Sequence, residues 1–128
     1  MTIHLDTSIL IEIITRTRPL LAAHERAVIA GHRTGVSSPA LYEWLRGPRV
    51  ESDLELQRRL FPTDQIVVFG ASEASLAASL YKMLTRPRGR EMDVAIAACA
   101  LEHGAALWTV NPRDFKDIPG LKLYEGRR

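Results

Sequence analysis

Cysteine is almost absent from this sequence: Cys99 is the single one among 128 residues. One cysteine cannot form an internal disulfide, and it excludes zinc or iron–sulfur sites built from several cysteines. Such sparse use is typical of proteins in a reducing compartment. We therefore expect a cytoplasmic protein in which Cys99 is a small core residue.

Long apolar runs are missing as well. The longest uninterrupted one, Val94–Leu101, falls far short of the roughly 20 residues that a membrane-spanning helix needs. A secretory signal has a basic region followed by an apolar stretch. Residues 1–6 do not show this pattern. We expect no association with a membrane.

No large excess of one charge is present. There are 17 Lys+Arg against 15 Asp+Glu, a formal net charge of +2, which permits an anionic partner without requiring one. Apolar residues make up 46% and charged residues 25%, which is ordinary for a globular protein. Domains commonly contain about 100–200 residues, so we expect residues 1–128 to form a single domain.

Short apolar runs alternate with helical patterns along the chain. The predicted strands are Thr2–Leu5, Gly35–Ser37, Ile66–Phe69, Ala106–Val110 and Leu121–Tyr124. Helices are predicted from Ile9, over Leu20–Ala30, from Ser38 to the Gly47-Pro48 stop, from a Ser52…Glu55 capping box to Pro62, over Ser72–Leu84 and over Met92–His103. The alternation predicts an α/β three-layer sandwich, with a central parallel sheet of four to five strands flanked by helices.

Polar residues that directly follow strands are the first candidates for a site, since ligands of such folds bind beyond the carboxyl ends of the strands. Asp6 follows the first predicted strand, and Asn111 and Asp114 follow Ala106–Val110. Each also suits a turn or a helix cap, and the pattern alone favours that simpler interpretation.

Two further acidic residues lie within predicted helices. Asp93 shares a helix face with Ala97 and Ala100, and apolar residues cover most of the remaining circumference. A helix that is apolar nearly all round is buried, so Asp93 needs a charged partner, a helix N-terminus or a metal ion. Glu43 lies opposite an apolar arc, which by itself indicates a solvated position.

Several carboxylates at the carboxyl edge of a parallel sheet would suit Mg²⁺ or Mn²⁺, which prefer oxygen ligands. Such ions activate water and stabilise the charge that develops during displacement at a phosphodiester. Spacing alone does not show that these acids converge.

Four segments resemble the motifs of PIN-domain ribonucleases, in the order that the family has them. They are Leu5–Ile11, Tyr42–Gly47, Asp93–Ala98 and Thr109–Phe115, and together they extend over nearly the whole chain. The short chain is similar to the VapC-type toxins of bacterial and archaeal type II toxin–antitoxin pairs.

The resemblance implies an Mg²⁺- or Mn²⁺-dependent endoribonuclease. Asp6, Glu43 and Asp93 match the acidic centre, which Asn111 and Asp114 complete. On this basis we expect Asp6 and Asp93 to bind the metal, while Glu43 and Asp114 bind it or orient the attacking water. The family also implies a homodimer, an RNA substrate and inhibition by a small cognate antitoxin of the VapB type.

The resemblance further implies that hydroxyl groups hold the acids by hydrogen bonds, from Thr7 or Ser8 and from Thr109. The chain departs from the family pattern at two positions. Ala95 stands where leucine is more common, and Asn111 stands where an acid is expected. The second departure leaves open whether one or two metals bind and whether Asp114 supplies the fourth carboxylate.

Other interpretations stay open at this point. A PIN-like module could bind RNA or protein without cutting, although binding alone does not need three clustered acids. Receiver domains and aspartate-nucleophile phosphatases both fit poorly. The phosphatases need a second Asp two positions after the first, where this chain has Ser8. The bases of Lys82–Arg90 either grip phosphates beside the site or keep an exposed loop soluble.

Overall fold

The computed structural model describes residues 1–15 and 20–126. In these residues it contains three strands, six α-helices and two short 3-10 helices, Thr63–Gln65 and Pro112–Phe115. The strands are β1 (Thr2–Leu5), β2 (Arg33–Gly35) and β3 (Ala106–Trp108). The α-helices are α1 (Thr7–Ile14), α2 (Leu20–Ile29), α3 (Ser38–Arg46), α4 (Glu51–Leu60), α5 (Ala71–Met83) and α6 (Glu91–Glu102).

The three strands form a parallel sheet in the order β2-β1-β3, so the predicted α/β class is confirmed. The chain passes from the central strand β1 to β2 on one side, and later crosses to β3 on the other. The strand order therefore reverses between β1 and β3, which is the place where α/β sheets bind their ligands.

The predicted count of four to five strands is wrong for the residues that the structure describes. The segments Ile66–Phe69 and Leu121–Tyr124 each contribute only an isolated parallel bridge, from Val67 to Ser37 and from Leu123 to Leu107. Val67 can pair for one residue only, because the chain turns into α3 directly after Ser37. The two bridges flank the three-stranded sheet where outer strands were expected.

Two strand boundaries also differ from the prediction. The second strand is Arg33–Gly35 rather than Gly35–Ser37, since residues 33–35 pair with Thr2–His4. The third ends at Trp108 and does not continue to Val110, and the chain beyond it turns towards α1.

Both faces of the sheet are covered by helices. His4 contacts His103 at the end of α6, with ring centroids 5.9 Å apart, so alternation along β1 directs Ile3 and Leu5 to the opposite face. Helix α6 packs against α5 and β3, and α1 packs against β1 and α2. None of the helices in residues 1–15 and 20–126 is long and apolar enough to cross a lipid bilayer.

Helix α6 is buried along most of its length, as its sequence predicted. Ile96, Ala97 and Cys99 are fully buried, and burial raises the pKa of the Cys99 thiol to about 11. The cysteine is thus a core residue, and its thiol stays protonated at neutral pH. Trp44 and Trp108 are also buried.

Two helix starts were predicted wrongly. Helix α1 begins at Thr7, not Ile9, because Asp6 already has the extended conformation of an N-cap residue. The Ser52…Glu55 capping box does not form: α4 begins at Glu51 after Val50, which places Ser52 inside the first turn. The predicted end of this helix before Pro62 is confirmed, since α4 stops at Leu60.

Candidate active site

A cleft of about 330 Å³ lies at the carboxyl ends of β1 and β3, and it brings together the five residues that were matched to the acidic centre. Its lining consists of Asp6, Thr7, Ser8, Ile11, Glu43, Arg46, Asp93, Asn111 and Asp114. These residues come from the junction of β1 and α1, from α1, α3 and α6, and from the segment after β3. Four carboxylates therefore face one small space.

A larger cavity of about 460 Å³ lies beyond Thr109 and is lined by Trp108, Tyr124 and Glu125 among others. Glu125 is its only carboxylate among the described residues. Size alone would favour this cavity, but the acidic chemistry is concentrated in the smaller cleft.

Asp6 lies where β1 ends and α1 begins, and it is 6% exposed. Its side chain does not cap α1. Instead Oδ2 accepts hydrogen bonds from the hydroxyl groups of Thr109, at 2.7 Å, and Ser8, at 2.9 Å. The backbone N–H of Asp6 donates to the carbonyl of Trp108 at 2.9 Å, so neighbouring strand ends fix both backbone and side chain.

Glu43 lies on the cleft side of α3, and its side chain is only 20% exposed. Oε1 accepts a hydrogen bond of 2.8 Å from the hydroxyl of Thr7, and Oε2 pairs with Arg46 at 3.3 Å. The amphipathic pattern suggested a solvated glutamate, but α3 packs against α1, and Glu43 contacts Thr7 of that helix. The hydroxyl bonds expected from Thr7, Ser8 and Thr109 are all present.

Asp93 lies in the first turn of α6 and is half-buried. Burial is the largest cause that raises the pKa of its carboxyl to about 6, followed in order by the charges of Asp6, Asp114 and Glu43. Arg90 opposes this effect. The rise indicates a negative potential in the cleft that a bound cation would relieve.

Asn111 and Asp114 form the exposed rim of the cleft. The backbone N–H of Asn111 donates to the hydroxyl of Thr109 at 3.0 Å, and that of Asp114 donates to the carbonyl of Asn111 at 3.0 Å. The same hydroxyl that holds Asp6 therefore fixes the start of the segment that carries Asp114.

The donor set suits Mg²⁺ or Mn²⁺, which take oxygen ligands. Within residues 1–15 and 20–126, no three His, Cys, Asp or Glu side chains are close enough together to hold one ion between them. Mg²⁺ commonly keeps several water ligands and binds through one or two carboxylates. The cleft thus fits an ion held by two carboxylates and water better than an ion enclosed by protein.

Sequence reasoning missed Arg46, and it considered Arg90 only as one of the bases of Lys82–Arg90. Arg46 lines the cleft, with its guanidinium 5.3 Å from the ring centre of Tyr42. Arg90 is tied to Asp117, which no sequence pattern indicated. Glu91, by contrast, stays outside the cleft, and its carboxylate accepts bonds from the N–H of Gly89 and the hydroxyl of Tyr81.

An α/β sandwich with an acidic cleft at the reversal of its strand order defines a class of proteins that bind ligands at the carboxyl edge of a parallel sheet. The family model of the PIN domain matches residues 3–121. The chain therefore belongs to the PIN-domain family. No curated protein sequence matches the chain.

Several solved structures share this fold. A chain of DNA-bound VapBC from Salmonella typhimurium superimposes with a TM-score of 0.79 at 22% identity, covering 99% of this chain and 99% of that one. A chain of VapBC2 from Rickettsia felis, bound to a promoter DNA fragment, has a TM-score of 0.75 at 24% identity, covering 97% of this chain and 98% of that one. A chain of a toxin–antitoxin complex from Klebsiella pneumoniae has a TM-score of 0.67 at 25% identity, covering 95% of this chain and 98% of that one.

Proposed function

We propose that the protein is an Mg²⁺- or Mn²⁺-dependent endoribonuclease that hydrolyses RNA phosphodiester bonds. One observation carries the proposal: Asp6, Glu43 and Asp114 share a cleft with Asp93, and they help to raise the pKa of its carboxyl to about 6. Repulsion among carboxylates destabilises a protein, so their proximity needs a functional reason such as cation binding. Membership of the PIN-domain family supports the same conclusion.

In this proposal Asp6 and Asp93 hold the metal, which when bound lowers the pKa of water and stabilises the developing charge on the phosphate. Thr109 and Ser8 fix Asp6 in orientation, so little reorganisation is needed on binding. Glu43, held by Thr7, and Asp114 on the rim bind the ion through water or accept a proton from the attacking water.

The proposal extends to a role as the toxin of a toxin–antitoxin pair. The structural relatives come from VapBC and toxin–antitoxin complexes, and their chains are covered over almost their full length. We propose that a small cognate antitoxin of the VapB type inhibits the nuclease and that the active protein is a cytoplasmic homodimer. Induced expression should arrest growth, and co-expression of the antitoxin should restore it. Light scattering by the purified protein should give twice the chain mass of 14.3 kDa.

Cleavage of RNA by the purified protein tests the nuclease. Asp6→Asn and Asp93→Asn should each reduce the rate by at least about a hundredfold in Mg²⁺, since each removes a proposed metal ligand. Asp64→Asn is the matched control, because Asp64 is exposed and lies outside the cleft. Full activity in both cleft variants, or activity that survives chelation, would contradict the proposal.

The alternative is a non-catalytic PIN-like module that binds RNA or protein. The absence of three closely grouped ligands among the described residues is the observation that favours it. Such a module would bind RNA equally well with and without Mg²⁺, and Asp93→Asn would strengthen rather than weaken RNA binding by removing a negative charge.

A further inference from the structure

Arg90 connects two parts of the cleft that are distant in sequence. Its guanidinium donates to both carboxylate oxygens of Asp117, at 2.7 Å each, from Nη1 and Nη2. Nη2 also donates to the backbone carbonyl of Asp114 at 2.7 Å. The side chain of Arg90 is only 21% exposed, so these bonds are partly shielded from water.

The two ends of this connection each carry a carboxylate of the cleft. Arg90 is the N-cap residue of α6, three positions before Asp93, and Asp114 lies in the short helix Pro112–Phe115. The guanidinium thus ties the start of α6 to the segment that forms the opposite rim. Phe115 and Ile118 are buried and anchor that segment from below.

A tight turn precedes Arg90. The N–H of Arg90 donates to the carbonyl of Pro87 at 2.9 Å, and Gly89 has a φ of 84°, which side-chain-bearing residues adopt only at a cost. The turn therefore fixes the backbone of Arg90 at the start of α6. Arg88, at the exposed tip of the same turn, has no such role.

We propose that Arg90 is a positioning residue that holds Asp93 and Asp114 at a fixed separation for cation binding. This inference rests on the proposed metal-dependent function. A planar guanidinium can serve two carboxylate oxygens and a carbonyl at once, whereas a lysine ammonium is a point charge on a flexible stem. The function of Arg90 therefore depends on its geometry and not only on its charge.

Charge and geometry predict opposite results for removal of Arg90. If only charge mattered, loss of a cation beside the cleft would strengthen Mn²⁺ binding. If Arg90 holds the two carboxylates in place, its loss weakens Mn²⁺ binding, by roughly tenfold as for other groups that orient metal ligands. The sign of the change in affinity thus separates the two explanations.

The experiment measures the Kd for Mn²⁺ by titration calorimetry on the purified full chain, well below its melting temperature. Arg90→Gln and Arg90→Lys should both bind Mn²⁺ roughly tenfold more weakly than the wild type. Arg88→Gln, with the same loss of charge in the same turn, should bind at least as tightly as the wild type. Should Arg90→Gln fail to fold, Arg90→Lys provides the measurement, since it keeps the charge.

Tighter or unchanged Mn²⁺ binding in the Arg90 variants would overturn the inference, as would wild-type affinity in Arg90→Lys. A wild type that binds no Mn²⁺ at millimolar concentration would overturn both the inference and the proposed function. If the wild type binds Mn²⁺ and the Arg90 variants bind it weakly, but no RNA is cut, the inference stands and the nuclease proposal fails. If RNA is cut and the Arg90 variants bind Mn²⁺ like the wild type, the nuclease proposal stands alone.

Discussion

The hydroxyl of Thr109 donates a 2.7 Å hydrogen bond to Oδ2 of Asp6, although 103 positions of the chain separate the two residues. The bond joins the carboxyl end of β3 to that of β1, at the point where the strand order reverses. Because Asp6 is almost fully buried, its carboxylate depends on such donors for the interactions that water would otherwise supply. Thr109 therefore links the stability of the sheet edge to the orientation of the first cleft carboxylate.

Thr109→Val should destabilise the protein by about 1.5–3 kcal/mol, the range for a hydrogen bond to a charged group. The variant also removes the acceptor for the N–H of Asn111, so the segment after β3 should become looser. Thr109→Ser keeps the hydroxyl and should recover most of the loss. Urea unfolding of the three proteins checks this, and equal stability of the valine and serine variants would contradict it.

Asp93→Asn should stabilise the metal-free protein at pH 8. The pKa of Asp93 in the folded protein, about 6, lies above the ordinary value of 3.8. Ionisation of this carboxyl is therefore unfavourable in the fold, and the free energy of unfolding falls as the pH rises from 3.8 through 6. Since Asp93 is only half-buried, we expect a gain of ~1–2 kcal/mol rather than the full value of the shift. In EDTA, Asp93→Asn should melt at a higher temperature than the wild type at pH 8 but not at pH 3.5. The control Asp64→Asn should melt like the wild type at both pH values.

Mn²⁺ binding should weaken below pH 6. A proton on Asp93 competes with the cation, and with a pKa of about 6 the affinity should fall roughly tenfold from pH 7 to pH 5. Calorimetric titration at several pH values measures this dependence. The residual Mn²⁺ affinity of Asp93→Asn should vary much less over the same pH range. An identical pH dependence of the affinity in both proteins would show that the competing proton binds to a group other than Asp93.

The protein should lose stability in mild acid through His4. Burial, and to a lesser degree the charge of His103, lowers the pKa of His4 to about 4 from 6.5. The neutral ring is therefore favoured in the fold: its contribution is complete above pH 6.5 and is lost as the pH falls through 4. The shift corresponds to about 3 kcal/mol. Urea unfolding at pH 7 and pH 4.5 should show a smaller loss of stability in acid for His4→Gln than for the wild type, and an equal loss in the two proteins would contradict this.

Local sequence patterns predicted the main elements well. The strand Thr2–Leu5 and the helix from Ser38 to before Gly47 were placed as observed, and Gly104 follows α6 with a φ of 62°. Such features depend on residues within a few positions of one another, so one segment suffices to predict them. The outer strands were overpredicted, because pairing depends on how far a neighbouring strand extends before its chain turns away.

The motif resemblance selected the cleft residues, but burial patterns could not. Glu43 has the pattern of a solvated residue and Asp6 that of a helix cap, yet both carboxylates line the cleft. Their surroundings come from other elements, Thr7 for Glu43 and Thr109 for Asp6. A pattern within one helix or turn contains no information about what packs against it.

By itself the sequence determined the α/β class, the buried α6 and the set of acids that follow strands or begin helices, since periodicity and capping act over short distances. Only the tertiary structure decided which hydroxyl holds which carboxylate, how far burial and neighbouring charge raise the pKa of Asp93, and that Arg90 bridges to Asp117. These properties depend on distances between segments far apart in the chain. Electrostatic and hydrogen-bond energies are set by such distances, and packing of the whole sandwich fixes them.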